Sequence, residues 1–278
     1  MKIYDCFMFS DEKMLLNLRL NHLEKFVDKF VIVEASYLHN GESKKLNFDI
    51  NEFSDFKHKI EYIVVNDQPP NIQNENISDE NWQRDQKKTY NSILRDTFQR
   101  DKITQSLEHL DSNDFIIISD LDEIPCLEKL DFTKINNEIL IFKQKMFYYK
   151  LNLFYKDYNW QGTKGVKRKN FISPQWLRNI KGKKYPKWRV DTFFSKMKYT
   201  NLFFVKNGGW HFTCLRTPEQ LEKKLLNFAH HYEFEASGLK LKDIKKLILE
   251  KRVMYDHTVD QKGYKWSGKS ILEKIDID

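Results

Sequence analysis

Asp120, Asp122 and Glu123 form the densest group of chemically capable side chains in this sequence, in the run Ser119-Asp120-Leu121-Asp122-Glu123-Ile124-Pro125. An apolar, β-branched segment, Phe115 to Ser119, leads straight into them. Such a segment reads as a buried strand, because it is short and apolar on both faces. The acids then stand at the strand's C-terminal end, the edge where open α/β sheets bind ligands. Two carboxylates that leave a strand at a turn can converge on one cation. Their hard oxygens suit Mg2+ or Mn2+ and a diphosphate bridged to it. The plainer alternative is a polar turn whose Asp caps a following helix. The third acid and the preceding strand favour the metal reading.

The elements that must position these acids alternate along the N-terminal part. Ile3 to Phe9 reads as a strand, and Ser10-Asp11-Glu12 is a helix-start signal for a helix bearing Leu15, Leu16, Leu18, Leu20 and Leu23. Phe30 to Val33, Ile60 to Val65 and Phe115 to Ser119 are further strands, and Asn81 to about Leu110 is a long helix. Strands alternating with helices predict βαβ units and a largely parallel sheet. After Pro125 the texture changes. Ile139 to Tyr155 is strand-like and aromatic, Lys164 to Lys169 reads as a basic loop, and Ser173 to Ile180 as a short helix. Phe203 to Val205 and Trp210 to Cys214 are predicted strands. Thr217-Pro218-Glu219 starts a helix with an apolar stripe of Leu221, Leu225, Phe228 and Ala229, and Leu241 to Leu249 is a last amphipathic helix. No repeat or linker divides the chain. The expected fold class is α/β, a single domain over residues 1–278 with a nucleotide-binding half (1–125) and an acceptor-side half (126–278).

Bulk properties fit that plan. With 278 residues and 40% hydrophobic content the chain can bury a full core. The net charge of +7 suits an anionic ligand or surface. Cys6, Cys126 and Cys214 are too far apart for a zinc ribbon or a disulfide framework, which fits a reducing compartment. No signal peptide opens the sequence and no apolar run approaches the roughly 20 residues that span a bilayer. The expectation is a soluble, cytoplasmic protein without a transmembrane segment, for which peripheral membrane contact stays open.

Several segments together resemble glycosyltransferase family 17, the group of the β-1,4-mannosyl-glycoprotein N-acetylglucosaminyltransferase that adds bisecting GlcNAc. They are Tyr4-Asp5-Cys6-Phe7-Met8-Phe9, the run Val27 to Ser36, Asp120 to Pro125, and Gly209-Trp210-His211-Phe212 with Pro218-Glu219 after it. The similarity runs in order to about Tyr232. The resemblance implies a GT-A-like, Rossmann-like mixed sheet flanked by helices. It also implies a UDP-sugar donor with UDP-GlcNAc as first choice, a Mn2+ or Mg2+ ion, inversion at the anomeric carbon, and a glycan or polysaccharide acceptor. Animal Golgi members have an N-terminal membrane anchor that this chain does not show. That points to a microbial or viral surface polysaccharide rather than a mannose-core N-glycan.

The same resemblance assigns roles. Asp120 and Asp122 hold the metal and through it the donor, and His211 is the third ligand, with His230 and His231 as competitors. Glu123 contacts sugar or orients a ligand. Glu34, Arg84 and Asn91 lie where a base, ribose or diphosphate would sit. An inverting transferase needs a base for the acceptor hydroxyl. Glu219, at a helix start that keeps it ionised, is the first candidate and Asp191 the second. Trp160, Trp210 and Arg178 are acceptor or sugar contacts. Plainer alternatives stand beside these: core packing for the tryptophans and His211, a salt bridge to a lysine for Glu123, a helix- or loop-capping acid for Glu34, a simple first-turn acid for Glu219, a solvated cation for Arg84.

Two other classes compete. A haloacid-dehalogenase-type phosphohydrolase also places Asp-x-Asp after a strand, but near the N-terminus and followed by x-Thr. A basic nucleic-acid-binding module would concentrate cations on one face, as in Lys181 to Lys187. Elsewhere the basic residues are dispersed, so no nucleic-acid partner is expected.

Overall fold

The structure, a computed structural model, describes the chain except residues 136–137, 187, 193, 228–230, 261–262, 267 and 277–278. Phe228, Ala229 and His230 therefore lie outside the described residues, as does the side chain of His231.

Four strands, β1 (Ile3–Met8), β2 (Lys29–Ala35), β3 (Ile60–Val65) and β4 (Phe115–Asp120), run parallel in the order β3-β2-β1-β4. This is half of the doubly wound order, and it puts all four C-terminal ends on one edge. β4 is buried through Ser119 because both of its faces are covered. Ile117 and Phe115 pack with Leu15, Leu16, Leu20 and Leu23 of α1 (Lys13–Leu23) on one side. Ile116 and Ile118 pack with Ile103, Leu107 and Leu177 on the other. Leu177 belongs to α3 (Pro174–Asn179), and Ile103 and Leu107 to the 3-10 turns that follow α2 (Asn81–Asp101). The long helix expected to reach Leu110 thus tightens after Asp101. α2 starts in a capping box between Glu80 and Gln83, whereas the Ser10-Asp11-Glu12 signal precedes α1 without a side-chain cap.

The sheet does not stop at residue 125. β6 (Ile139–Phe142), β9 (Lys164–Lys167) and β10 (Leu202–Val205) extend it as β10-β6-β9-β4. β9 is antiparallel to both β4 and β6, so the fold is mixed α/β with helices on both faces, as expected. The basic loop predicted at Lys164 to Lys169 is in fact this strand. Gly165 and Val166 alone offered no alternating apolar pattern, and pairing with β4 decided the conformation. Lys164 and Lys167 are both buried.

A second sheet, β12-β8-β7-β11-β5, collects β5 (Glu123–Pro125), β7 (Gln144–Tyr148), β8 (Leu153–Trp160), β11 (Gly209–Thr213) and β12 (Glu273–Lys274). The predicted aromatic run from Ile139 to Tyr155 therefore divides into β6, β7 and the start of β8. Tyr149, at φ +64°, marks one break. α4 (Pro218–Asn227), α5 (His231–Ser237) and α6 (Leu241–Leu249) flank this sheet, and Leu221, Leu225, Phe234 and Ile244 share a core with Tyr148 and Tyr155. No helix among the described residues is long and apolar enough to cross a membrane.

Candidate functional site: a carboxylate turn between two sheets

β4 ends at Asp120 and β5 begins at Glu123, so the acidic turn is the hinge between the sheets. Arg19 fixes it from below. Its guanidinium, fully buried on α1, binds both oxygens of Asp5 at 2.7 and 2.6 Å and the Ser119 hydroxyl at 2.5 Å. Its remaining nitrogen donates to the carbonyls of Asp120, Leu121 and Glu123 at 3.0, 3.2 and 2.9 Å. One side chain therefore sets the path of the whole turn.

Glu123 is fully buried yet has four donors. Arg178 reaches its two oxygens at 2.7 and 3.1 Å, Trp160 Nε1 at 2.6 Å, and the amide of Asp120 at 3.0 Å. A buried carboxylate requires such compensation. Gly162 is necessary here, because a Cβ at that position would run into the Glu123 carboxyl group. Asp120 is gripped from two helices, by Arg178 of α3 at 2.6 Å and Arg100 of α2 at 3.0 Å. Burial raises its pKa, but the two guanidinium groups outweigh burial and hold the carboxyl well below the ordinary range. Lys164 of β9 lies in the same charged group and donates to the Arg178 carbonyl. Burial, with Arg178 adding repulsion, lowers its pKa to about 7.

Asp122 differs. The difference lies in its partners and not in exposure, which is 25% against 36% for Asp120: among the described residues its carboxylate meets no arginine, and His211 Nε2 lies 3.5 Å from it. β11 pairs with β5 so that His211 stands opposite Glu123, and the Phe212 amide donates to the Asp122 carbonyl at 2.8 Å. The strand register thus delivers this histidine to the turn. Burial pushes His211 toward the neutral form, but the Asp122 carboxylate outweighs it and raises the pKa. His211 Nδ1 is buried without a hydrogen-bond partner. The ring stacks on Trp160 at 4.5 Å, and Trp160 meets His257 edge-on at 5.3 Å. His257 is lowered to about 4, first by burial and then by His211.

Among the described residues no three His, Cys, Asp or Glu side chains converge as a closed cage. Asp120 is committed to arginines. Asp122 and His211 offer one hard oxygen donor on a partly exposed side chain and one buried imidazole. Mg2+ and Mn2+ sites of that kind draw their other ligands from phosphate oxygens and water. The pair fits such an ion as a two-residue holder, and Asp120 fits as a neighbour.

The structure places the other predicted residues as follows. Arg178 and Trp160 belong to the carboxylate group through Glu123. Trp210, one residue from His211 and so on the opposite face of β11, packs toward α1 with its ring 5.1 Å from His22. Glu34 is fully buried and accepts from Lys44, from the amides of Asn47 and Phe48 at 2.8 and 3.1 Å, and from Tyr62 at 2.8 Å. Its carboxylate secures the loop that leaves β2. Asn91 exchanges two hydrogen bonds of 2.8 Å with the Gln73 backbone, and Arg84 donates to the Ile77 carbonyl at 3.1 Å. Both tie the loop after β3 onto α2. Glu219 is exposed and pairs with Lys245 of α6 at 2.7 Å, and that contact lowers its pKa. Asp191 lies between Arg189 at 2.6 Å and Lys198 at 2.7 Å. Among the described residues, no hydrogen bond or ion pair brings either acid to the Asp122–His211 pair.

Arg19, Asp5, Arg100 and Lys164 were missed from sequence. Two of them left a signal. Asp5 is an acid inside an apolar strand, and Arg19 falls on the stripe of Leu15 and Leu23 at helical spacing, where a cation requires a buried partner.

The model of glycosyltransferase family 17 matches residues 1–274. The β-1,4-mannosyl-glycoprotein 4-β-N-acetylglucosaminyltransferases of Rattus norvegicus and Homo sapiens are each 27% identical over 138 residues. That stretch is 48% of this chain and only 23% and 24% of the rat and human enzymes. A crystal structure of the galactosyltransferase LgtC with donor and acceptor sugar analogues overlaps 61% of this chain and 59% of that one. At 13% identity and a TM-score of 0.27, that likeness bears no weight.

Proposed function

The chain belongs to glycosyltransferase family 17 and is a glycosyltransferase, and from that premise we propose an inverting, metal-dependent transfer of a sugar to a glycan or polysaccharide hydroxyl. The proposed donor is a UDP-sugar, UDP-GlcNAc first. Family membership replaces the phosphohydrolase and nucleic-acid alternatives. The observation that carries the finer reading is the Asp122–His211 pair, an oxygen and an imidazole donor at the end of β4 without an arginine partner, while the acids on either side of Asp122 are bound by Arg178.

Asp122 and His211 would hold Mn2+ or Mg2+, which supplies positive charge to the departing diphosphate. Asp120, kept ionised by Arg100 and Arg178, borders the donor without carrying a proton. Glu123 orients the indole of Trp160, whose ring beside His211 gives a sugar an apolar face to lie on. Glu219 is proposed as the proton acceptor for the attacking hydroxyl, with Asp191 second. Lys245 keeps Glu219 ionised, and its exposure leaves it reachable by an acceptor. Glu34, Arg84 and Asn91 shape the donor side by holding the loops after β2 and β3.

The test is nucleotide release from a panel of UDP- and GDP-sugars, with Mn2+ or with EDTA. UDP release from UDP-GlcNAc that stops with EDTA supports the proposal, and a panel without turnover or binding overturns it. Glu219→Gln separates the base assignment: a kcat loss of about a hundredfold at unchanged donor affinity supports it. Retained kcat moves the role to Asp191 or to His257.

A further inference from the structure

Residues 181–206 hold eight of the chain's 47 cationic residues and one of its 40 acids. This stretch alone therefore carries the net charge of +7, and the rest of the chain balances. Its single acid, Asp191, is enclosed by Arg189 and Lys198. The Lys181 amide donates to the Met197 carbonyl at 2.8 Å, which closes the segment between them into a loop. On that loop Trp188, Val190 and Phe194 are 80%, 65% and 86% exposed. Phe203, on the edge strand β10 that follows, is exposed as well. Single exposed apolar residues need no explanation, but three on one closed cationic loop do.

Lysines interspersed along the chain with exposed Trp and Phe match the chemistry of a bilayer surface. Anionic headgroups attract the cations, and aromatic rings settle at the boundary between headgroups and acyl chains. A soluble polyanion would use the charges and leave Trp188 and Phe194 in water. We propose that the loop closed by Lys181 and Met197 docks this protein on an anionic membrane surface.

The loop is also tied to the site. It begins three residues after Arg178, which grips Asp120 and Glu123. At its base a Cβ on Gly182 would strike Gln161, the neighbour of Trp160. Docking through it keeps the carboxylate turn close to the bilayer, where an acceptor carried by a lipid is presented. This inference stands independently of the donor and metal proposals, since its test needs no turnover.

The experiment is flotation of the full chain with vesicles of phosphatidylcholine alone and of phosphatidylcholine and phosphatidylglycerol in equal parts. Binding to the anionic vesicles only, weakening with added salt, is expected. The triple variant Lys181→Gln, Lys183→Gln, Lys196→Gln should bind them on the order of a hundredfold more weakly. Trp188→Ser with Phe194→Ser should cost at least about tenfold. Lys45→Gln, Lys57→Gln, Lys129→Gln removes the same charge from exposed positions elsewhere and should stay within about threefold of the parent. Equal losses in the two lysine variants overturn the proposal. So do equal binding to neutral vesicles, no vesicle binding, and binding to heparin without vesicle binding.

Discussion

Asp120 and Asp122 are two residues apart and have opposite surroundings. Asp120 and its neighbour Glu123 are held by Arg100, Arg178, Trp160 and a backbone amide, while Asp122 faces one histidine at 3.5 Å. The difference teaches that an acidic cluster need not act as one unit. Here two carboxylates are framework, with their charge spent on fixed cations, and the one between them lacks those partners, which is the basis for the ligand role proposed for it. The framework is itself supported by Arg19, which never reaches the surface.

Breaking the framework should cost the most. Arg19→Met leaves Asp5 buried and unpaired and removes three carbonyl contacts, so a loss of about 3–5 kcal/mol is expected in urea unfolding. The reverse pattern is expected on the open side. Asp122→Ala should reduce kcat/KM by about 10²–10³-fold, or about 3–4 kcal/mol, while moving unfolding stability by less than about 0.5 kcal/mol. If stability falls as far as in Arg19→Met, the two carboxylates do not differ as described. Asp256 sharpens the contrast, because it is locked by neutral donors: Tyr155, Thr258 and Ser270 at 2.6–2.7 Å. Burial opposes ionisation, but these hydrogen bonds outweigh it and lower the pKa to about 2. A folded pKa below the unfolded one gives stability that is present above about pH 4 and lost as pH falls toward 2. Asp256→Asn should remove about 2 kcal/mol of that pH dependence, read from unfolding curves over this range. The smallest effect is expected for Trp160→Phe, which takes one of four donors from Glu123, at about 1 kcal/mol. Turnover should fall further than that if the indole also positions a sugar.

The parallel half was legible because its strands are uniform apolar runs. Ile116, Ile117 and Ile118 announce a buried strand, and the acids that end it announce an edge. The segment Lys164 to Lys167 was not legible, since nothing in Lys-Gly-Val-Lys reports that β4 and β6 wait on either side. Long-range pairing overrode local composition there. In the site, Asp120, Asp122, Glu123, His211, Trp160 and Arg178 were read from sequence and meet around one turn. Their division of labour was hidden, because it depends on which cations arrive from α1, α2 and α3. Glu219 was chosen by its place at a helix start, and sequence gave no sign that Lys245 would meet it, or that Arg189 and Lys198 would enclose Asp191.

β9 has a consequence for how the chain must be assembled. It enters the first sheet about forty residues after β4 and covers an edge of that strand that is otherwise bare. A fragment ending at Pro125 would contain the acidic turn and all four parallel strands, and would still present the unpaired edge of a strand as apolar as Phe115 to Ile118. Such an edge recruits other chains. On a ribosome the same edge must wait until β9 emerges, and the chain remains vulnerable to self-association for that interval. The N-terminal half, though it reads as a self-sufficient module, is a sheet that only its own C-terminal half can close.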